Sequence, residues 1–248
     1  MADPNTKFYI YGRNPLREAL QTQAEQIEKI FIRNSLRDSQ VANIFDLASQ
    51  NRIPISHVPG PKLHELVGSV NDQGVVALKS AASYQDFGNW LDKLDTSEYP
   101  AILLLDGIKD SGNLGAILRT AAGAGMAAVL VPKHGQAPVN ATAYKTSAGT
   151  AGRIPIVRAG NLNQTILKLK EAGFWIGGLD MNGDTNLWNL EADRPLAFVI
   201  GSEGDGIRPK TLEHCDYTYH IEMENKVESL NASVSTGLLC YEWKRKHK

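Results

Sequence analysis

Apolar residues fall along this chain in two alternating rhythms: short continuous runs, and longer stretches at helical spacing. Ala101–Leu105, Met126–Val131, Phe174–Leu179 and Ala197–Ile200 are short apolar runs, each of which predicts a buried strand. Between them Leu114–Ala124 and Leu162–Ala172 are helix-forming and free of proline, the second clearly amphipathic. Ile154–Val157 and Tyr217–Glu222 read as further strands, Pro209–His214 as the start of a helix, and Leu230–Trp243 as the final helix, with Lys244, Arg245, Lys246 and Lys248 beyond it. Asn140–Gly152 is built of small residues and reads as one helix that lets backbones approach closely. Strands alternating with helices predict a parallel, layered α/β domain over 99–248.

The same two periods recur at smaller scale over 1–80. Strands are predicted at Phe8–Tyr11, Lys29–Arg33, Ile53–Val58 and Gly74–Leu78. Helices are predicted from Asn14-Pro15 to about Gln21, within Ser39–Gln50 and over Pro61–Val67. This makes a small α/β domain. Residues 81–98 turn to Ser, Ala, Asp, Asn and Gly and read as a linker, with one short helix docked through Phe87 and Trp90.

Composition narrows the function classes. A chain of 248 residues, 42% hydrophobic, suits one medium domain or two small ones with a real core. Net charge is −1, so a polyanionic partner must be met by locally concentrated positive charge. Residues 7–37 hold six basic side chains against three acidic ones. Arg13, Arg17, Arg33 and Arg37 beside Tyr9 and Tyr11 are a candidate basic face, with an ordinary solvated surface as the plainer account. The two cysteines, Cys215 and Cys240, lack metal or redox spacing, and the six histidines form no ligand pattern, so no metal is assigned. No signal peptide and no membrane-length apolar run are read, which makes a cytoplasmic protein the expectation.

Three stretches look like sites. Asp106–Gly125 follows a strand with a turn and a helix, and from Ser111 to Pro132 its only charged side chain is Arg119. A guanidinium among apolar neighbours is costly unless solvated or paired. Arg119 therefore lies on the solvent face, or pairs with Asp106 or Asp110, or points into a site that handles negative charge. Asn113 is a good N-cap type whose amide also suits a ligand. Gly201–Gly206 ends a strand with three glycines in six residues, exposing backbone N–H groups. It matches neither the dinucleotide nor the P-loop fingerprint, which excludes a nicotinamide oxidoreductase and a classical phosphate loop. Glu203 within it is a candidate partner for Arg119. In Glu228–Ser233, Ser229 is placed to cap the final helix, with Asn231 and Ser233 in the first turn.

Taken together, in this order, the three stretches resemble the motifs of the SpoU (TrmH-type) RNA 2′-O-ribose methyltransferases of the SPOUT class. The matching residues are Asn113–Ala121, Gly201–Ile207 and Ser229–Gly237. The first domain is similar to the family's L30/L7Ae-like substrate-binding domain through Tyr11-Gly12-Arg13-Asn14-Pro15 and Gln73-Gly74-Val75-Val76-Ala77. Asn140-Ala141-Thr142-Ala143 and Glu213-His214-Cys215-Asp216 resemble the 23S ribosomal RNA guanosine-2′-O-methyltransferase subgroup. Ser111, Glu222 and Asp72 depart from the family pattern.

The resemblance implies a deep trefoil knot that binds S-adenosylmethionine. It puts Gly201, Ser202, Gly206, Ile221, Met223, Ser229 and Leu230 at the cofactor, and Arg119, Asn113, Glu203, Ser229 and Asn231 at the reaction. Arg119 would act as an electrostatic clamp on the ribose hydroxyl and a neighbouring phosphate, with proton acceptance by Arg119 as the competing version. The implied partners are 23S ribosomal RNA, or a pre-ribosomal particle, and a second copy of the chain met through Leu238, Leu239 and Trp243. A transfer RNA ribose methyltransferase and a catalytically silent RNA-binding relative are the alternatives.

Overall fold

The computed structural model describes residues 7–80, 84–225 and 227–247. Chain contacts divide it into two compact units. One joins Met1–Ser83 with Pro138–Arg153, and the other joins Tyr84–Ala137 with Ile154–Lys248.

The first unit opens with β1 (Phe8–Tyr11), α1 (Arg13–Thr22), β2 (Ile27–Arg33), α2 (Ala42–Gln50), β3 (Ile55–Val58), α3 (Gly60–Val67) and β4 (Val75–Lys79). The sheet order is β1-β4-β2-β3, with β4 antiparallel to both neighbours and β3 parallel to β2. One face of this mixed sheet is sealed: Ile10, Ile30, Ile32, Val75 and Ala77 are buried, as are Leu16, Ala19 and Leu20 on the inner stripe of α1. The candidate basic face is partly spent internally. Arg33 pairs with Asp72 at 2.8 Å, Arg13 donates to the carbonyl of Gln73, and Arg17 donates to Asn14.

The second unit begins inside the expected linker, whose residues Ala81–Ser83 lie outside the described residues. A two-residue strand, β5 (Gln85–Asp86), leads into α4 (Phe87–Leu91), which buries Phe87 and Trp90 in the main core. Then come β6 (Ala101–Asp106), α5 (Ser111–Ala124) and β7 (Ala128–Pro132). After them the chain crosses back to the first unit. There Asn140–Gly152 is not one helix: α6 (Ala141–Thr146) stops at Ala148 and Gly149, both left-handed with φ of 52° and 89°, and Thr150–Gly152 makes a separate 3-10 turn.

The second unit resumes with β8 (Ile156–Ala159), α7 (Leu162–Glu171), β9 (Trp175–Leu179), β10 (Thr185–Asn186), β11 (Leu196–Gly201), α8 (Pro209–Leu212), β12 (Tyr217–His220) and α9 (Ala232–Lys246). Its strands run in the order β10-β12-β9-β11-β6-β7-β8-β5, with every pairing parallel. Ile102, Leu104, Ile176 and Val199 centre the core, and α5 packs on α9. The chain runs outward from β6 in one direction through β7 and β8, and lays β11, β9 and β12 on the other side. That is a switch point of the kind at which parallel sheets bind ligands. Lys244, Arg245 and Lys246 lie in the last turn of α9 rather than beyond it, and Lys248 is outside the described residues.

Candidate active site

Each of the three stretches is shaped by a local device. Asp110 caps α5, its Oδ1 accepting from the Asn113 N–H at 2.7 Å. The cap is thus Asp110 and not Asn113, so the helix starts three residues earlier than expected and the Asn113 side chain is not used for capping. The glycine turn closes on itself: Ser202 and Gly206 exchange two backbone hydrogen bonds of 3.0 Å. A Cβ at Gly201 would stand 2.1 Å from the carbonyl carbon of Gly206, so no other residue fits. At the third stretch the cap is Asn231, not Ser229. Asn231 Oδ1 accepts from the N–H groups of Ser233 (2.9 Å) and Val234 (3.4 Å) and from the Ser233 hydroxyl (2.6 Å).

These devices bring three side chains together. Asn113 Nδ2 donates to Glu203 Oε1 at 2.7 Å; Asn231 Nδ2 donates to the same oxygen at 2.5 Å and to Asn113 Oδ1 at 3.0 Å. The capping bonds of Asn231 Oδ1 settle which way its amide points. One carboxylate therefore ties together stretches separated by 90 and 28 positions in sequence. Glu203 serves the two asparagines and not Arg119.

Arg119 is not gathered into this cluster. It lies six positions along α5 from Asn113, about 240° around the helix. It is exposed and makes no hydrogen bond or ion pair among the described residues. Neither aspartate considered as its partner is available. Asp110 caps α5, while Asp106, whose side chain is fully buried, accepts from Arg208 Nε at 2.7 Å and holds its Nη2 at 2.6 Å. Of the two bland placements, the solvent face is the one observed. Sequence reasoning missed the Asp106–Arg208 pair, although an acid ending a strand and an arginine two residues past a glycine turn were both in view.

Beside the cluster lies a cavity of about 770 Å³ at the carboxyl ends of β9, β11 and β12. Gly201, Ser202, Gly206, Ile221, Met223, Ser229 and Leu230 all line it, as does Glu203. Asp180, Asp205, Glu222 and Glu228 also line it, and no lysine or arginine does among the described residues. Asn113, Arg119 and Asn231 stand outside the lining. Burial pushes both the Cys215 and the Cys240 thiols up to about 12, so neither is a nucleophile at neutral pH. Among the described residues no group of three or more His, Cys, Asp or Glu is placed to hold a metal, and no helix is long and apolar enough to cross a membrane.

The architecture is thus a parallel α/β unit with a cavity at the carboxyl ends of its strands and, in the same chain, a small mixed-sheet unit. The chain belongs to the SpoU (TrmH) family of RNA methylases: the SpoU rRNA methylase family model matches residues 100–241. The model for RNA 2′-O ribose methyltransferase substrate binding matches residues 9–85. A Staphylococcus aureus (strain MSSA476) protein, named for the TrmH family of tRNA/rRNA methyltransferases, is 40% identical over 96% of this chain and 95% of its own. A crystal structure of an RNA 2′-O ribose methyltransferase is similar with a TM-score of 0.80 and 25% identity, over 98% of this chain and 89% of that one. The AdoMet-bound rRNA methyltransferase of Sinorhizobium meliloti shares the fold with a TM-score of 0.80 and 21% identity, over 96% of this chain and 87% of that one.

Proposed function

We propose that this protein transfers a methyl group from S-adenosylmethionine to the 2′-hydroxyl of a guanosine ribose in 23S ribosomal RNA. The cavity at the carboxyl ends of β9, β11 and β12 carries the proposal. Its lining fits the cofactor: a closed glycine turn offers backbone groups, Ile221 and Leu230 offer apolar walls, and the carboxylates suit a cationic sulfonium while rejecting phosphate. S-adenosylmethionine is also the ligand of the Sinorhizobium protein whose fold this chain shares. The proposal includes the family's trefoil knot around this cavity.

When bound, the cofactor supplies an already activated methyl group. The protein's tasks are then alignment and charge. Asn113 and Asn231 are locked by Glu203, so their amides form a rigid wall to orient the ribose. Ser229 adds a hydroxyl at the cavity. Arg119 stands free on the surface, as a guanidinium meant for an RNA phosphate and a developing alkoxide would. Arg119→Ala is expected to reduce methyl transfer by at least about a hundredfold while S-adenosylmethionine affinity stays within about threefold. Loss of both together would remove Arg119 from this role.

The proposal extends to a homodimer through α9. Leu239 and Trp243, expected at that interface, are instead buried within the second unit. The stripe left for a partner is Val234 and Tyr241, half exposed, with the partly buried Leu238 between them. Sedimentation at micromolar concentration tests it, and a monomer there counts against it. The substrate is tested by tritium transfer from labelled cofactor to ribosomal and transfer RNA purified from cells lacking the protein. Label in a 23S guanosine ribose is the expected result. Label confined to transfer RNA replaces the substrate, and no label on either overturns the activity.

A further inference from the structure

The carboxyl ends of the second unit's strands form a rim, and the rim is divided by charge. Register sets the strand ends level: Gly201 pairs with Asp106, Pro132 pairs with Ala159, and the Leu104–Leu130 pairing brings Pro132 level with Asp106. Over β9, β11 and β12 the rim is the carboxylate-lined cavity. Over β6 and β7 it is basic. Lys109 and Lys133 are exposed and make no hydrogen bond or ion pair among the described residues. Arg208 is held from behind by Asp106, and its side chain is 62% exposed. In the loops after β6 and β7 the remaining acid, Asp110, is turned onto the backbone N–H of Asn113, and the acids of the loop that carries Arg208, Glu203 and Asp205, line the cavity.

This basic half is a built surface and not two loose loops. Gln136 Oε1 accepts from the Ile108 N–H at 3.0 Å, and Ala137 donates to the Ile108 carbonyl at 2.7 Å, which binds the loop after β7 to the loop after β6. A Cβ placed on Gly107 would stand 3.9 Å from both the Gly135 carbonyl oxygen and Ser202 Cβ, so the same platform borders the glycine turn.

We propose that Lys109, Lys133 and Arg208 form a phosphate track that leads the RNA backbone to the cavity, while the acidic half keeps phosphates out of it. This rests on the protein acting on RNA. A polyanion is drawn to the unpaired Lys109 and Lys133 and to the exposed side of Arg208, whose charge Asp106 partly offsets, and it avoids a wall of carboxylates. Contacts to phosphate set position and are recognised by their salt dependence.

The test is equilibrium binding of two probes, unmodified transfer RNA and a stem–loop transcript of ribosomal RNA, across a salt series. Lys109→Met and Lys133→Met are each expected to weaken binding about 3- to 10-fold at low salt. Each is expected to reduce the log–log salt slope by roughly 0.7 to 0.9, one phosphate contact apiece. Lys168→Met, on the exposed face of α7, is expected to change neither. Titration with S-adenosylmethionine alone is expected to be the same in every variant. A double Lys109→Met/Lys133→Met variant with wild-type affinity and slope overturns the track, as does an equal loss in Lys168→Met. If the wild type binds neither RNA, the track and the RNA reading fall together; if it binds and methylates RNA while both lysines prove silent, the track alone falls.

Discussion

Two stretches of small residues sit in different units and use glycine for opposite reasons. In Gly201–Gly206 the backbone closes on itself: the space a side chain would need at Gly201 is filled by Gly206 and Ile207, a few residues along the same segment. In Ala148–Gly152 the space is filled by another element. A Cβ at Gly149 would lie 2.5 Å from Glu18 Cβ, and one at Gly152 would lie 2.5 Å from Thr22 Oγ1, both on α1. The first glycine set makes a closed turn that lines the cavity, and the second makes a docking surface. Both stretches are rich in glycine; what differs is whether the constraint is local or distant.

The sharpest way to break this contrast is Gly201→Ala. Its Cβ would meet only backbone, at 2.1 to 2.4 Å, and backbone cannot step aside. The substitution is expected to abolish S-adenosylmethionine binding in a calorimetric titration and to cost roughly 3 kcal/mol or more of stability. Normal affinity in this variant would mean that the turn does not shape the cavity. Gly149→Ala is the counterpart. With φ of 89° and Glu18 in the way, it is expected to cost about 1 to 3 kcal/mol in urea unfolding while cofactor titration is unchanged. A shift in cofactor affinity would show that the two stretches are coupled and the contrast is false.

Local constraint also explains what could be read from the residues alone. Strand–helix alternation placed the main elements of both units, because each buried run and amphipathic stretch carries its own period. The two-residue strands β5 and β10 were missed, since two residues have no period. The caps were misassigned by two or three positions. Ser229 and Asp110, and equally Asn231 and Asn113, are all good capping types, and only the path of the chain selects between them. The docking of Asn140–Gly152 with the first unit was invisible for the reason just given: its steric partners are more than a hundred positions away. Glu203 stands out in the sequence as an acid in a glycine turn, where Arg119 is its candidate partner; in the structure it meets Asn113 and Asn231. Charge suggests arginine, while geometry delivers two asparagines.

The smallest effect concerns the same docking segment. Lys79 ends β4 fully buried, donating to Gln26 and standing 4.7 Å from the ring of Tyr144 and 6.0 Å from that of Phe8. Tyr144 comes from α6 and donates its hydroxyl to Gln23. Burial holds the Lys79 ammonium down to about 8 from the ordinary 10.5, which corresponds to a cost of at most about 3 kcal/mol at neutral pH. Between those two values the unfolded chain binds more protons than the folded one, so stability rises with pH. The Tyr144 hydroxyl is pushed up by burial and acts oppositely, but only above its ordinary value of 10.0, which leaves pH 8 to 10 as the window for the lysine. The urea midpoint of the wild type is expected to climb across that window. Lys79→Met is expected to flatten the climb without loss of stability at pH 7, because a charge that was costly to bury has been replaced by a side chain that is not. A flat wild-type profile would mean that water reaches the ammonium, and the segment would then be held by Tyr144 and by the close approach of Gly149 and Gly152 to α1.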